Sequence, residues 1–252
     1  MLPDFFRGIL RKLSPSKAPV DLDEQARQAF EAYNVVGHLL YDYGNSAVLA
    51  RVVEAQAQPV CIRLAVVLDL DECLVHTQYS SVNYDYPDVM HVALSDEEIL
   101  TVNKRPGVDA FLSTLAANFD VYLFTSADEG YANPIVDMLD PCAKIFKKRY
   151  YYDDCVHENG LNMKDLKCIE MTQSLAHVVL IDNNPLSFLP QPSNAVPIPS
   201  FFDNMNDHAL AIVLDLLLTL RHVADVRPCL DQVFHIDQVL QDIQIPTFLT
   251  EP

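Results

Sequence analysis

Three unbroken apolar runs mark the chain, and each ends on a polar residue. Leu64-Ala65-Val66-Val67-Leu68 runs into Asp69, Val121-Tyr122-Leu123-Phe124 into Thr125, and His177-Val178-Val179-Leu180-Ile181 into Asp182. Apolar runs of this length without alternation suit strands buried on both faces, as in a parallel sheet. Between them, Val108 to Leu115 and Tyr131 to Leu139 carry apolar residues at helical spacing. Asn206 to Val223 reads as a long closing helix packed through Leu210, Val213, Leu214 and Leu217. The alternation predicts an α/β fold, a central parallel sheet flanked by helices and joined by right-handed crossovers.

In such sheets ligands bind beyond the carboxyl ends of the strands. One fold would therefore gather Asp69, Thr125 and Asp182. A lone Asp after a strand is most often a cap or turn residue, but three polar endings in one sheet point to a site.

The patterning divides the chain into a main domain over 60–225 and flanking segments. Residues 1–20 place Phe5, Phe6, Ile9, Leu10 and Leu13 at helical spacing among Arg7, Arg11, Lys12 and Lys17. That basic amphipathic segment suits peripheral contact with an anionic membrane or a partner, and equally suits covering an apolar patch of the main domain. SPSKAP reads as a linker. Residues 21–59 read as a helical extension with Asp21 or Asp23 as N-cap and a stop near Gly44. Residues 226–252 read as a tail without chemistry of its own, able to add a strand or helix to the core or to bind a partner.

Composition narrows the function. The 252 residues hold 17 Lys+Arg against 35 Asp+Glu, a formal net charge of −18, with half the chain hydrophobic. That is globular composition, and the acidic balance argues against a nucleic-acid partner. Six scattered cysteines form no CxxC pair and no zinc-ligand spacing. Without a secretory signal or an N-x-S/T acceptor, reduced thiols in the cytoplasm or nucleus are expected. The most apolar stretch, Ala209 to Leu220, contains Asp215 and is shorter than the roughly 20 residues a bilayer needs.

The sharpest local feature is Asp69-Leu70-Asp71-Glu72-Cys73-Leu74-Val75-His76-Thr77. Two carboxylates two residues apart just past a buried strand repel, unless one is protonated or a cation neutralises them. The pair suits Mg²⁺, which takes oxygen ligands and keeps waters and a substrate phosphate. It equally suits a nucleophilic Asp beside an acid/base Asp. An acid-rich surface turn would read the same way, so the pair alone does not choose.

The longer string does. DLDECLVHT resembles the signature of haloacid-dehalogenase-type phosphatases, and more closely that of their small C-terminal-domain phosphatase branch. The likeness runs on through Lys104-Arg105-Pro106, Leu123-Phe124-Thr125-Ser126, Tyr131 to Pro134, Met163-Lys164-Asp165-Leu166, Ile181-Asp182-Asn183-Asn184-Pro185 and Phe202-Asp203-Asn204-Met205. It covers roughly residues 60 to 225 with the motifs in order. The resemblance implies a Rossmann-like haloacid dehalogenase fold with a small β insertion after the first strand. It also implies a Mg²⁺-dependent phosphoprotein serine/threonine phosphatase that acts through an aspartyl-phosphate.

Residue by residue, Asp69 matches the nucleophile and Asp71 the general acid and base. Thr125 matches a hydrogen-bond donor to the phosphoryl group, and Lys164 the cation that neutralises it. Asp182 and Asn183 would bind Mg²⁺ together with Asp69 and the Asp71 carbonyl. Tyr79, Thr125, Ser126 and Tyr131 match substrate-contacting positions. Cys73 stands where the family has Thr or Val and is expected to support the loop, its thiol raised by neighbouring carboxylates.

The family's best-known substrate is the phosphoserine-containing, proline-rich tail of RNA polymerase II. Its apolar pocket positions correspond here to His91, Ala93, Leu100 and Asp128, with Asp153 and Asp154 at the edge of the site. Carboxylates there repel anionic flanks. The sequence therefore predicts specificity altered from that tail, toward proteins with basic residues near the phosphosite. Two other readings stay open. One is a binding scaffold like the related domains of mitochondrial import receptors; the other is a membrane-associated phosphatase anchored by residues 1–20.

Overall fold

The structure, a computed structural model, describes residues 39–40, 63–78, 86–95, 98–158, 161–170 and 174–242. The 1–20 segment, almost all of 21–59, Tyr79 and the last ten residues lie outside the described residues. In chain order the elements are β1 (Ala65–Leu68), β2 (Val75–Thr77), β3 (Val89–Ala93), β4 (Ile99–Lys104), α1 (Val108–Asn118), β5 (Asp120–Phe124), α2 (Glu129–Leu139) and β6 (Phe146–Tyr150). They continue with β7 (Val156–Glu158), β8 (Leu161–Met163), α3 (Lys167–Glu170), β9 (Val178–Asp182), β10 (Ala195–Pro197), α4 (Ala209–Leu220), α5 (Arg227–Phe234) and α6 (Ile236–Asp242).

Five parallel strands make the central sheet, in the order β10-β9-β1-β5-β6. All residues of β1, β5 and β9 are buried, which is why each reads as a continuous apolar run. Leu68 pairs with Leu123 on one side and Ile181 on the other. The register therefore brings Asp69, Thr125 and Asp182 to one edge of the sheet. This is the expected α/β architecture.

Between β1 and α1 the chain inserts a three-stranded antiparallel sheet ordered β2-β4-β3. The expected β insertion is thus present, and β3 packs beside α2. A second hairpin, β7–β8, stands between β6 and α3.

Helix α4 begins later than the periodicity suggests. Asp207, inside the expected helix, binds Arg105 through both carboxylate oxygens, and its Oδ1 also accepts from the Ala209 N–H. It therefore caps the helix from outside it. Leu210, Val213, Leu216, Leu217 and Leu220 form the buried face of α4, while Leu214 is only partly buried.

Beyond residue 225, Val226, Cys229, Leu230, Phe234, Ile236 and Leu240 join the same core, so the packed body continues into α5 and α6. Among the described residues, no helix is long and apolar enough to cross a membrane.

Candidate active site

The loop after β1 is shaped before it can act. Asp69 N–H donates to the Ile181 carbonyl at 3.0 Å, which locks the end of β1 to β9. Leu74 and Val75 N–H both donate back to Leu70, and Glu72 N–H donates to Val75, closing a tight turn. Glu72 takes a left-handed backbone with φ 57°, which disfavours a residue with a Cβ by about 1–2 kcal/mol. The turn is held from outside. Phe201 N–H donates to the Glu72 carbonyl, and Arg105, fully buried, donates to the carbonyls of Cys73 and Pro199.

Lys164, in the loop after β8, brings its ammonium to the ends of β1 and β9. Its Nζ lies 2.6 Å from Asp69 Oδ1 and 2.5 Å from Asp182 Oδ2, all three side chains being buried. Burial alone would lower the Lys164 pKa, but the charges of Asp182 and Asp69 outweigh it and raise the pKa above the ordinary lysine range. Asp69 is pushed upward by burial and by the Asp182 charge, while Lys164 pulls it down. Burial and the Glu72 charge lift Asp71 to about 7, against the hydrogen bond from Tyr131. Two carboxylates thus share one lysine, with a third, Asp71, on the same loop, an excess of negative charge suited to a divalent cation.

The oxygen geometry fits such a cation. The Asn183 amide lies 3.0 Å from Ser200 Oγ, whose hydroxyl donates to Oδ1 when Nδ2 faces the site. Its Nδ2 then donates to Asp69 Oδ2 and to the Asp71 carbonyl, both at 3.3 Å. A cation between those two oxygens would reverse the amide and bring Oδ1 in as a third acceptor. An octahedral Mg²⁺ with oxygens at roughly 2.0–2.1 Å needs neighbouring ligands about 3 Å apart. Among the described residues no three His, Cys, Asp or Glu side chains form a cage of their own. The groups that face one another are instead one carboxylate, one amide and one backbone carbonyl. Asp182 stands one step back, its two oxygens accepting from Lys164 and from the Asn184 N–H.

Thr125, buried just past β5, accepts from the Ala127 N–H at 3.1 Å, which leaves its hydroxyl proton for another acceptor. Ser126 beside it is exposed. Tyr131, in the first turn of α2, reaches Asp71 and donates to its Oδ1 at 2.7 Å. Asp71, Thr125, Tyr131, Lys164, Asp182 and Asn183 therefore border the same strand ends as Asp69, whereas Tyr79 lies outside the described residues.

Cys73 is buried, its Sγ 3.8 Å from the Ile181 carbonyl, and burial first and then Asp69 raise its thiol well above the usual range. Sequence reasoning missed Thr77 and Ser200, whose hydroxyls bond to Tyr131 and Asn183. Thr77 closes the DLDECLVHT string; Ser200 has no pattern that marks it.

Of the positions matched to the family's apolar pocket, His91 and Ala93 of β3 are exposed and Leu100 of β4 is half-buried. Asp128, just before α2, and Asp153 are exposed, while Asp154 accepts from the Tyr151 N–H. Tyr152 N–H donates to the Ala127 carbonyl, which ties this acidic turn to the Thr125 segment.

A family model described as NLI interacting factor-like phosphatase matches residues 64–227. The chain is 36% identical over 178 residues to the CTD small phosphatase-like protein 2 of Dictyostelium discoideum, covering 71% of this chain and 31% of that protein. It is 35% identical over 181 residues to the CTD nuclear envelope phosphatase 1B of Danio rerio, covering 69% of this chain and 73% of that protein. It is 34% identical over 172 residues to the human carboxy-terminal domain RNA polymerase II polypeptide A small phosphatase 2, covering 68% of this chain and 62% of that protein. The chain thus spans under a third of the first relative and more than half of the other two.

Proposed function

The chain belongs to the NLI interacting factor-like phosphatase family, and from that premise and the geometry of the site we propose that it hydrolyses phosphoserine or phosphothreonine in proteins, through an aspartyl-phosphate on Asp69 with Mg²⁺ as cofactor. The observation that carries the reading is the Lys164 ammonium between Asp69 and Asp182, with a second carboxylate, Asp71, on the same loop.

In this mechanism an Asp69 oxygen attacks phosphorus. The bond to the seryl or threonyl oxygen breaks, and Asp71 gives that oxygen a proton. An Asp71 carboxyl lifted to about 7 by burial can hold the proton it must give. Asp71, now ionised, then takes a proton from water as the water oxygen joins phosphorus and the bond to Asp69 breaks. The Thr125 hydroxyl donates to a phosphoryl oxygen. Lys164 orients Asp69 and places positive charge beside the transferred group. Asp69, Asn183 and the Asp71 carbonyl would hold Mg²⁺, with Asp182 contributing its charge and its grip on Lys164. Bound there, the ion would supply the charge that offsets the phosphoryl oxygens.

The substrate would be a phosphoprotein carrying basic residues beside the phosphosite, in the cytoplasm or nucleus. The exposed Asp128 and Asp153 on the rim, and the polar His91 on β3, support this. The test compares kcat/KM for phosphopeptides with Lys/Arg flanks against acidic ones and proline-rich polymerase-tail peptides. A preference of about tenfold for basic flanks, equal to roughly 1.4 kcal/mol and falling with added salt, is expected. Efficient hydrolysis of the tail peptides without charge dependence would overturn the altered specificity.

A further inference from the structure

Asp71 is tied to two hydroxyls from other elements. Tyr131 in α2 donates to Asp71 Oδ1 at 2.7 Å, and Thr77 Oγ1, at the end of β2, lies 2.6 Å from the Tyr131 hydroxyl. Each hydroxyl carries a single proton. Tyr131 directs its proton to Asp71, so the proton between Thr77 and Tyr131 belongs to Thr77. The chain therefore runs one way: Thr77 to Tyr131 to Asp71. Thr77 is fully buried and paired with Val102 of β4, which anchors the chain in the inserted sheet. Asp71 and Tyr131 are only half-buried.

We propose that Tyr131, braced by Thr77, is a positioning residue for the acid that protonates the leaving oxygen. This rests on the phosphatase reading above and gives Tyr131 a role beyond contact with substrate. The backbone of the Asp71 loop is held by the Arg105 and Phe201 contacts, but those contacts do not fix the carboxyl group at its end. The Tyr131 hydrogen bond does. It keeps Oδ1 as an acceptor, so the transferable proton sits on Oδ2. In the first half-reaction the Oδ2 proton moves to the leaving oxygen as its bond to phosphorus breaks and the Asp69–phosphorus bond forms. In the second, Oδ2 takes the proton of the attacking water as the Asp69–phosphorus bond breaks. The Tyr131 proton stays on tyrosine throughout. Holding a proton donor within reach of the reacting atom lowers the barrier without changing substrate affinity.

The leaving group separates this role from the alternatives. Dinitrophenolate leaves without a proton, whereas phenolate needs one. Steady-state kinetics with Mg²⁺ would compare dinitrophenyl phosphate and phenyl phosphate on wild type, Tyr131→Phe, Thr77→Val and Thr77→Ser. Tyr131→Phe is expected to lower kcat/KM on phenyl phosphate, which reports the first half-reaction, by about ten- to a hundredfold, part of what a general acid contributes. On dinitrophenyl phosphate its kcat/KM should fall much less, because that first step needs no proton, and a circular dichroism spectrum like that of wild type shows that the variant is folded. Thr77→Val should move the same way by less, and Thr77→Ser should restore wild-type behaviour. Equal losses of kcat/KM on both esters, or no loss on either, would overturn the positioning role. A folded wild type that hydrolyses neither ester with Mg²⁺ would overturn the phosphatase reading, and this inference with it.

Discussion

Lys164 places its ammonium 2.6 Å from Asp69 Oδ1 in a buried site, while the same nitrogen holds Asp182 on the neighbouring strand. Removing it leaves two buried carboxylates facing each other. Breaking a buried pair in this way typically costs about 3–5 kcal/mol. Lys164→Met should therefore lose turnover and lower the thermal midpoint. Mg²⁺ should raise the midpoint of the variant more than that of wild type, because the added cation replaces missing charge. Equal Mg²⁺ shifts in the two proteins would contradict this account of the site's charge.

Asn183 gives a second handle on the cation. Ser200 Oγ, 3.0 Å from the amide, bonds to it in either orientation and so holds it beside Asp69 Oδ2 and the Asp71 carbonyl. Asn183→Ala should raise the Mg²⁺ concentration needed for half-maximal activity strongly. Ser200→Ala should raise it less, within the roughly 10- to 100-fold range of residues that orient a metal ligand. Mg²⁺ titrations of phosphatase activity measure both.

Arg105 holds the catalytic turn from behind. Its guanidinium binds both oxygens of Asp207 and the carbonyls of Cys73 and Pro199. Arg105→Ala would orphan a buried carboxylate and two carbonyls, and a loss of about 3–5 kcal/mol in urea unfolding is expected. Arg105→Lys should recover only part of it, since an ammonium cannot make the bidentate pair. A variant as stable as wild type would show that the turn holds itself.

The thiols should differ sharply in reactivity. Burial pushes Cys155 and Cys168 up to about 11 and Cys73 well above the usual range, so the thiolate fraction is small at neutral pH. Cys142 is exposed. Among these four, brief alkylation near pH 7.5, read by peptide mass spectrometry, should label Cys142 first. Labelling of the other three should grow only as pH rises toward their values. Rapid labelling of Cys73 in the folded protein would instead mark a redox-sensitive site.

What the sequence reveals follows from how each part is stabilised. β1, β5 and β9 are buried on both faces, so their apolar runs are continuous and their polar ends stand out. The inserted sheet is harder to read, because β3 alternates buried and exposed residues and its partners come from different segments. The start of α4 depends on Arg105, about a hundred residues away, recruiting Asp207. Helices α5 and α6 read as a tail because Pro228 and the left-handed His235 divide their apolar positions. At the site, Asp69, Thr125 and Asp182 are legible from strand ends, whereas the place of Lys164 follows only from the family resemblance. The bonds from Thr77 to Tyr131 and from Ser200 to Asn183 exist only once the chain has folded.

The most direct measurement is hydrolysis of a small aryl phosphate, with and without Mg²⁺, by wild type and Asp69→Asn side by side. Turnover is expected to require Mg²⁺ and to disappear in Asp69→Asn. Turnover surviving in a folded Asp69→Asn variant would contradict the aspartyl-phosphate mechanism, and a folded, Mg²⁺-supplied wild type without turnover would contradict the phosphatase reading itself.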